Sequence, residues 1–170
     1  RPSAGRKPFS GRSKALFCTW ATSYRPLTKN GQPNMSDSVF LDTNALIWGV
    51  EGDPRLGASS RNLANMALRD DLLFVSAVSF WEIAMLARRR RLTLAYPSHE
   101  WRQNVLRLGI VEVPLTGEIG IRAAELEGLH GDHADRIIAA TATSQGATLL
   151  TADERLLSWQ GPPRRHDARQ

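Results

Sequence analysis

Four acidic side chains fall where this chain passes between apolar runs and helical stretches: Asp42, Glu82, Asp135 and Asp153. Asp42 closes the run Val39-Phe40-Leu41, and Glu82 sits in the first turns of a helical stretch that follows Leu72-Leu73-Phe74-Val75. Asp135 opens a helix behind the polar loop from Gly128 to His133, and Asp153 follows Ala147-Thr148-Leu149-Leu150. Mg²⁺ and Mn²⁺ prefer oxygen ligands, and carboxylates converging from separate elements supply them without any histidine or cysteine set. A cation so held polarises a phosphate and activates water.

Each acid also has a local role open to it. Asp42 suits a helix N-cap, and Ser79 to Glu82, Asp132 to Asp135 and Thr151 to Glu154 resemble capping boxes or favourable charges at a helix start. Taken together, the four favour a shared cation. The flanks of Asp42 and Glu82 are apolar on both sides, and a buried unpaired carboxylate is costly unless a cation or partner neutralises it.

The elements that must position these acids alternate. Strand patterns at Ser38–Leu41, Leu72–Val75, Gly109–Pro114 and Ala147–Leu150 are separated by helical spacing at 45–48, 59–70, 76–91, 98–108, 116–127 and 134–145, with a brief helix at 152–157. Strands alternating with helices imply right-handed crossovers and a mostly parallel sheet covered on both faces, an α/β fold. In such a sheet, loops leaving the carboxyl ends of the strands share one rim, and all four acids fall on it. The segment from Gly161, rich in Pro and Arg, is expected to fray, with one more edge strand as the alternative.

At 170 residues, 42% hydrophobic and 23% charged, the chain has the composition of one globular domain. Its single cysteine, Cys18, excludes an internal disulfide and a cysteine-based metal site and fits a reducing cytoplasm. No run reaches the roughly 18 apolar residues of a membrane span. The net charge of +5 is unevenly spread: residues 1–34 hold seven Lys and Arg and no acid, whereas residues 35–170 carry 15 cations, all arginine, against 17 acids. Met35 is therefore read as the start of the folded unit (35–160), and 1–34 as a basic leader outside it. Upstream translation, a transit peptide, a signal core and a nucleic-acid-binding arm are its four possible origins.

Val39-Phe40-Leu41-Asp42-Thr43-Asn44, Ser76-Ala77-Val78-Ser79-Phe80-Trp81-Glu82-Ile83-Ala84, Asp132-His133-Ala134-Asp135-Arg136-Ile137-Ile138-Ala139-Ala140-Thr141-Ala142 and Leu149-Leu150-Thr151-Ala152-Asp153 stand in this order. They resemble the successive motifs of the PIN domain, in particular of VapC-type toxins from bacterial toxin-antitoxin pairs. The resemblance implies a three-layer α/β/α sandwich and Mg²⁺- or Mn²⁺-dependent endoribonuclease activity. On it, Asp42, Glu82, Asp135 and Asp153 match the acidic metal-binding quartet, with Thr43, Asn44 and Thr151 as polar neighbours and Asp132 as an extra acid. Asp132-His133 departs from the Asp-Pro frequent in the family. An RNA substrate, a small VapB-type antitoxin and a homodimer are the implied partners.

Arg88 to Arg91 close the helix that carries Glu82. They suit either a solvated helix end that complements the dipole or a site for RNA phosphates. Arg136, beside Asp135, has a structural ion pair or a substrate phosphate open to it. Trp48, Trp81 and Trp101 are read as core or interface, since tryptophan at helical spacing among Leu, Ile and Met packs inward far more often than it stacks on bases. His130 and His133 are three apart, but a zinc pair lacks further soft ligands. Two rivals remain: a Mg²⁺-dependent phosphotransfer domain with Asp42 as nucleophile, weakened because no lysine follows Met35, and a non-catalytic RNA- or protein-binding scaffold, weakened by the intact acidic set.

Overall fold

The computed structural model describes residues 38–129 and 132–170. The basic leader, Cys18, Met35 and His130 lie outside the described residues. Five strands, β1 (Val39–Leu41), β2 (Leu73–Ser76), β3 (Val111–Val113), β4 (Thr148–Thr151) and β5 (Arg165–Asp167), form one sheet. Among the described residues the helices are α1 (Thr43–Glu51), α2 (Ala58–Arg69), α3 (Ala77–Arg88), α4 (Ser98–Leu106), α5 (Gly117–Glu125), α6 (His133–Ser144) and α7 (Glu154–Ser158). The strand order is β3-β2-β1-β4-β5, and every neighbouring pair is parallel.

The period of two along each strand divides the core between the two faces. Val39, Leu41, Leu73, Val75 and Leu150 pack with α1 to α4, around Leu46, Ile83 and Trp101. Phe40 and Leu149, one position out of step, join the opposite layer with Ile119, Ala123, Ile138 and Ala139 from α5 and α6. The fold is thus a three-layer α/β/α sandwich. β1 is buried along its whole length, as a central parallel strand covered on both faces must be.

Local chemistry sets the element ends that matter for the site. Asp42 caps α1, its Oδ1 accepting from the Ala45 backbone N–H at 2.6 Å. That helix stops at Gly52, whose φ of 75° is left-handed and cheapest for glycine. Ser76 is both the last residue of β2 and the cap of α3, so no loop separates strand from helix, and Glu82 falls in the second turn. The helix expected over 76–91 ends at Arg88, and Arg90 turns left-handed at φ 57°.

The expectation of a fraying tail is corrected. β5 continues the sheet beside β4, with Leu149 opposite Arg165 and Thr151 opposite Asp167. The chain beyond it is clamped: Ala168 is fully buried, its N–H donates to the Thr151 carbonyl, and its own carbonyl accepts from Gly57 N–H. Composition pointed to a tail because Pro162 and Pro163 cannot donate to a ladder. The pairing begins only after them.

Candidate active site

The strand order reverses between β1 and β4, since β2 and β3 extend the sheet from one side of β1 and β4 and β5 from the other. Ligands of open parallel sheets bind outside the carboxyl ends of the strands at such a point. Asp42 follows β1 directly and Asp153 lies two residues beyond β4. α3 and α6 also begin at this rim, because a helix between parallel strands runs back from it, and they bring Glu82 and Asp135 in their first two turns.

Asp42 is the most enclosed of the four, at 4% exposure. Its second oxygen, Oδ2, accepts from the Thr151 hydroxyl. That hydroxyl in turn accepts from the Asp153 backbone N–H at 3.0 Å, so one threonine ties the end of β1 to the Asp153 turn. Burial raises the Asp42 carboxyl above its ordinary range; the hydrogen bonds offset part of that, and the charge of Asp153 adds to it. Thr43 plays the corresponding part for Glu82, donating from Oγ1 to Oε2 at 2.5 Å. Glu82 too is raised, first by burial and then by the charges of Asp132 and Asp42.

Asp135 is pushed up to about 6, by burial first and then by the charges of Asp153, Glu82 and Asp132. Asp153 goes the other way: burial raises it, but hydrogen bonds from the Arg155 side chain and from the N–H groups of Arg155 and Leu156 outweigh that. Asp132 caps α6, its Oδ1 accepting from Ala134 N–H at 3.1 Å. Asn44 is exposed in the first turn of α1. The acids therefore share one electrostatic field; Asp42, Asp132 and Asp153 also serve as caps, whereas Ser76 and not the Ser79–Glu82 stretch caps α3, because the helix starts directly at the end of β2.

Arg155, not singled out from the sequence, completes the cluster. Its Nη2 donates to Asp153 Oδ2 at 3.2 Å and to Asp135 Oδ2 at 3.5 Å, and its side chain is 59% exposed. The available signal was the Asp-x-Arg spacing of 153 and 155, which also pairs Asp53 with Arg55 and Asp167 with Arg169. Arg136 takes a structural role, through carbonyls rather than an ion pair. Its guanidinium donates to the carbonyls of Ala123, Ala124, Leu126 and Leu129, tying α5 to α6. Arg88 to Arg91 are exposed, at the far end of α3 from the rim. Arg88 lies about 9 Å of axial rise beyond Glu82. Trp48 and Trp101 are core, as expected, but Trp81 is 59% exposed beside Glu82, against the core reading.

A family model for the PIN domain matches residues 39–159, a span that holds all four acids and every element from β1 to α7. The chain belongs to the PIN domain family. Ribonuclease VapC22 of Mycobacterium tuberculosis is 34% identical to it over 126 residues, 74% of this chain and 94% of that protein. In this PIN domain the donor chemistry fits a divalent cation: the clustered groups are hard carboxylate oxygens that repel one another, and a cationic guanidinium stands between two of them. Among the described residues no three carboxylates stand at ligand distance as the side chains rest.

Proposed function

We propose that this PIN domain is an endoribonuclease that hydrolyses RNA phosphodiester bonds and acts as the VapC-type toxin of a type II toxin-antitoxin pair. The observation that carries the reading is the convergence of Asp42, Glu82, Asp135 and Asp153 on one rim, where each of Asp42, Glu82 and Asp135 is raised in part by the charge of its neighbours. A pure binder of RNA gains nothing from negative charge where the phosphate must sit. The activity is Mg²⁺- or Mn²⁺-dependent, with Asp42 and Asp135 as the principal ligands and Glu82 and Asp153 completing the set or orienting the attacking water. A divalent cation held by these carboxylates would supply the positive charge that offsets them and the phosphate, and a lowered pKa for water.

The remaining work falls to this chain's own residues. Thr151 and Thr43 hold Asp42 and Glu82 in single orientations through their hydroxyls. Water attacks phosphorus and loses a proton, the bond to the 3′ oxygen breaks and that oxygen takes up a proton, and the products carry a 5′-phosphate and a 3′-hydroxyl. No protein nucleophile is needed. Asp42 as a phosphotransfer nucleophile is disfavoured, because no lysine follows Met35 to hold a phosphoryl group beside it.

A VapB-type antitoxin and a second copy of the chain are the proposed protein partners. Ile121 on α5, 62% exposed, and Val111 on β3, 38% exposed, offer apolar contact for such surfaces. Arg88 to Arg91 are proposed to hold RNA phosphates away from the cleavage point. No helix among the described residues is long and apolar enough to cross a membrane. The proposed place of action is the cytoplasm, where RNA is present. The test is to incubate the purified protein with cellular RNA in EDTA, Mg²⁺ or Mn²⁺ and to sequence the new 5′ ends. Cuts are expected only with the divalent ion and only from protein with Asp42 intact; wild-type-like cutting by Asp42→Asn would sink the four-acid site.

A further inference from the structure

We propose that Trp81 and the apolar groove beside it form a subsite for one unpaired nucleobase of the RNA strand, adjacent to the phosphate that is cut. The inference rests on the ribonuclease reading and adds where the strand is gripped. Trp81 and Val78 lie one turn apart on α3 and make one wall of the groove, and Leu115, after β3, and Ile137 on α6 make the others. The cavity measures about 400 Å³, and Trp81 and Leu115 are 59% and 46% exposed. That is the size range of small-ligand sites, room for a base and its ribose.

Two features select a base as the occupant. First, the groove borders the acidic cluster: Asp132 lines it, and the charge of Asp132 is felt at both Glu82 and Asp135. Second, none of the described residues lining it is an arginine, so the groove offers a phosphate nothing to pair with. It offers instead an indole face and aliphatic walls, which match the π-face of any base. Asp132 and His133 are the polar side chains at its edge. Such a subsite requires a base splayed out of its stack, so the substrate is a single strand or a loop rather than a duplex.

The experiment measures binding of a short unstructured RNA to protein made inactive by Asp42→Asn, and KM for the same strand on active protein, in each case with Trp81 intact, with Trp81→Ala and with Trp81→Phe. Loss of one base stack is expected to weaken binding by Trp81→Ala about five- to a hundredfold, with Trp81→Phe within about threefold of wild type. The dependence on log salt stays unchanged, because every phosphate keeps its partner. Replacing the stacked nucleotide by an abasic one should weaken wild type by the same factor and Trp81→Ala no further. Equal RNA affinity for wild type and Trp81→Ala overturns the subsite, and if the variant then fails to self-associate or to bind antitoxin, the groove is a protein interface. Wild-type protein that cuts no RNA overturns the ribonuclease reading itself, a failure distinct from that of the base subsite.

Discussion

Replacing Asp135 by Asn should stabilise the protein in the absence of divalent ions while destroying cleavage. In the folded state this carboxyl is raised from 3.8 to about 6, by burial first and then by Asp153, Glu82 and Asp132. An acid so raised is charged in the fold at pH 7 at a cost of about 3 kcal/mol, at 1.36 kcal/mol per pKa unit. Residual exposure of its side chain, 20%, and removal of the Arg155 ion pair reduce the expected gain to about 1–2 kcal/mol. For a domain of this size that is a rise in melting temperature of roughly 3–8 °C.

The sign with pH follows from the same shift. Between 3.8 and about 6 the folded carboxyl holds a proton that the unfolded one has lost, so stability in EDTA should fall as pH rises through this window. The favourable contribution is fully present below 3.8 and gone above about 6. Asp53, Asp153 and Asp167, which are lowered, act only below that window. Thermal melts of wild type and Asp135→Asn from pH 7 to pH 5 in EDTA are the assay: wild type should gain stability on acidification and the variant should gain less, keeping only the share of Asp42 and Glu82, which are raised as well. Added Mg²⁺ should raise the wild-type melting temperature and leave the variant little changed. A variant that melts below wild type at pH 7, with the same pH dependence, would refute the claim that Asp135 sits in a strained acidic field.

Two further outcomes are expected. Thr151→Val removes the hydroxyl that donates to buried Asp42 and accepts from Asp153 N–H, and should cost about 1–3 kcal/mol in a urea melt and reduce kcat more than it raises KM; unchanged stability would show that the link carries nothing. Replacing Arg89, Arg90 and Arg91 by Gln should flatten the dependence of RNA affinity on log salt by up to about one unit for each phosphate no longer held, with little change in melting temperature, whereas an unchanged slope with stability lowered by about 0.3–1 kcal/mol would leave them as complements to the α3 dipole.

What the sequence determined by itself was periodic and local. Apolar runs alternating with helical spacing are enough for a parallel α/β fold, because a strand buried on both faces and a helix with one apolar stripe have different repeats. The four acids could be picked out for the same reason: each sits just after a strand or in the first two turns of a helix that leads back from the strand ends, which in such a fold is one rim. What only the tertiary structure decided was who meets whom. The order β3-β2-β1-β4-β5 sets Asp42 beside Asp153 and lets Thr151 bridge them, a contact spanning 109 residues of chain. The charge of Arg136 left an ion pair and a phosphate both open in the sequence, but its four partners are backbone carbonyls, which every residue carries and no pattern marks. Trp81 has the spacing of a core residue and is open all the same, because periodicity records which residues share a helix face and not whether another element arrives to cover it. The strand at 165–167 stood in the sequence only as the alternative to a frayed tail, since a short edge strand of polar side chains is held by main-chain bonds to β4 and by the burial of Ala168, neither of which its own composition displays.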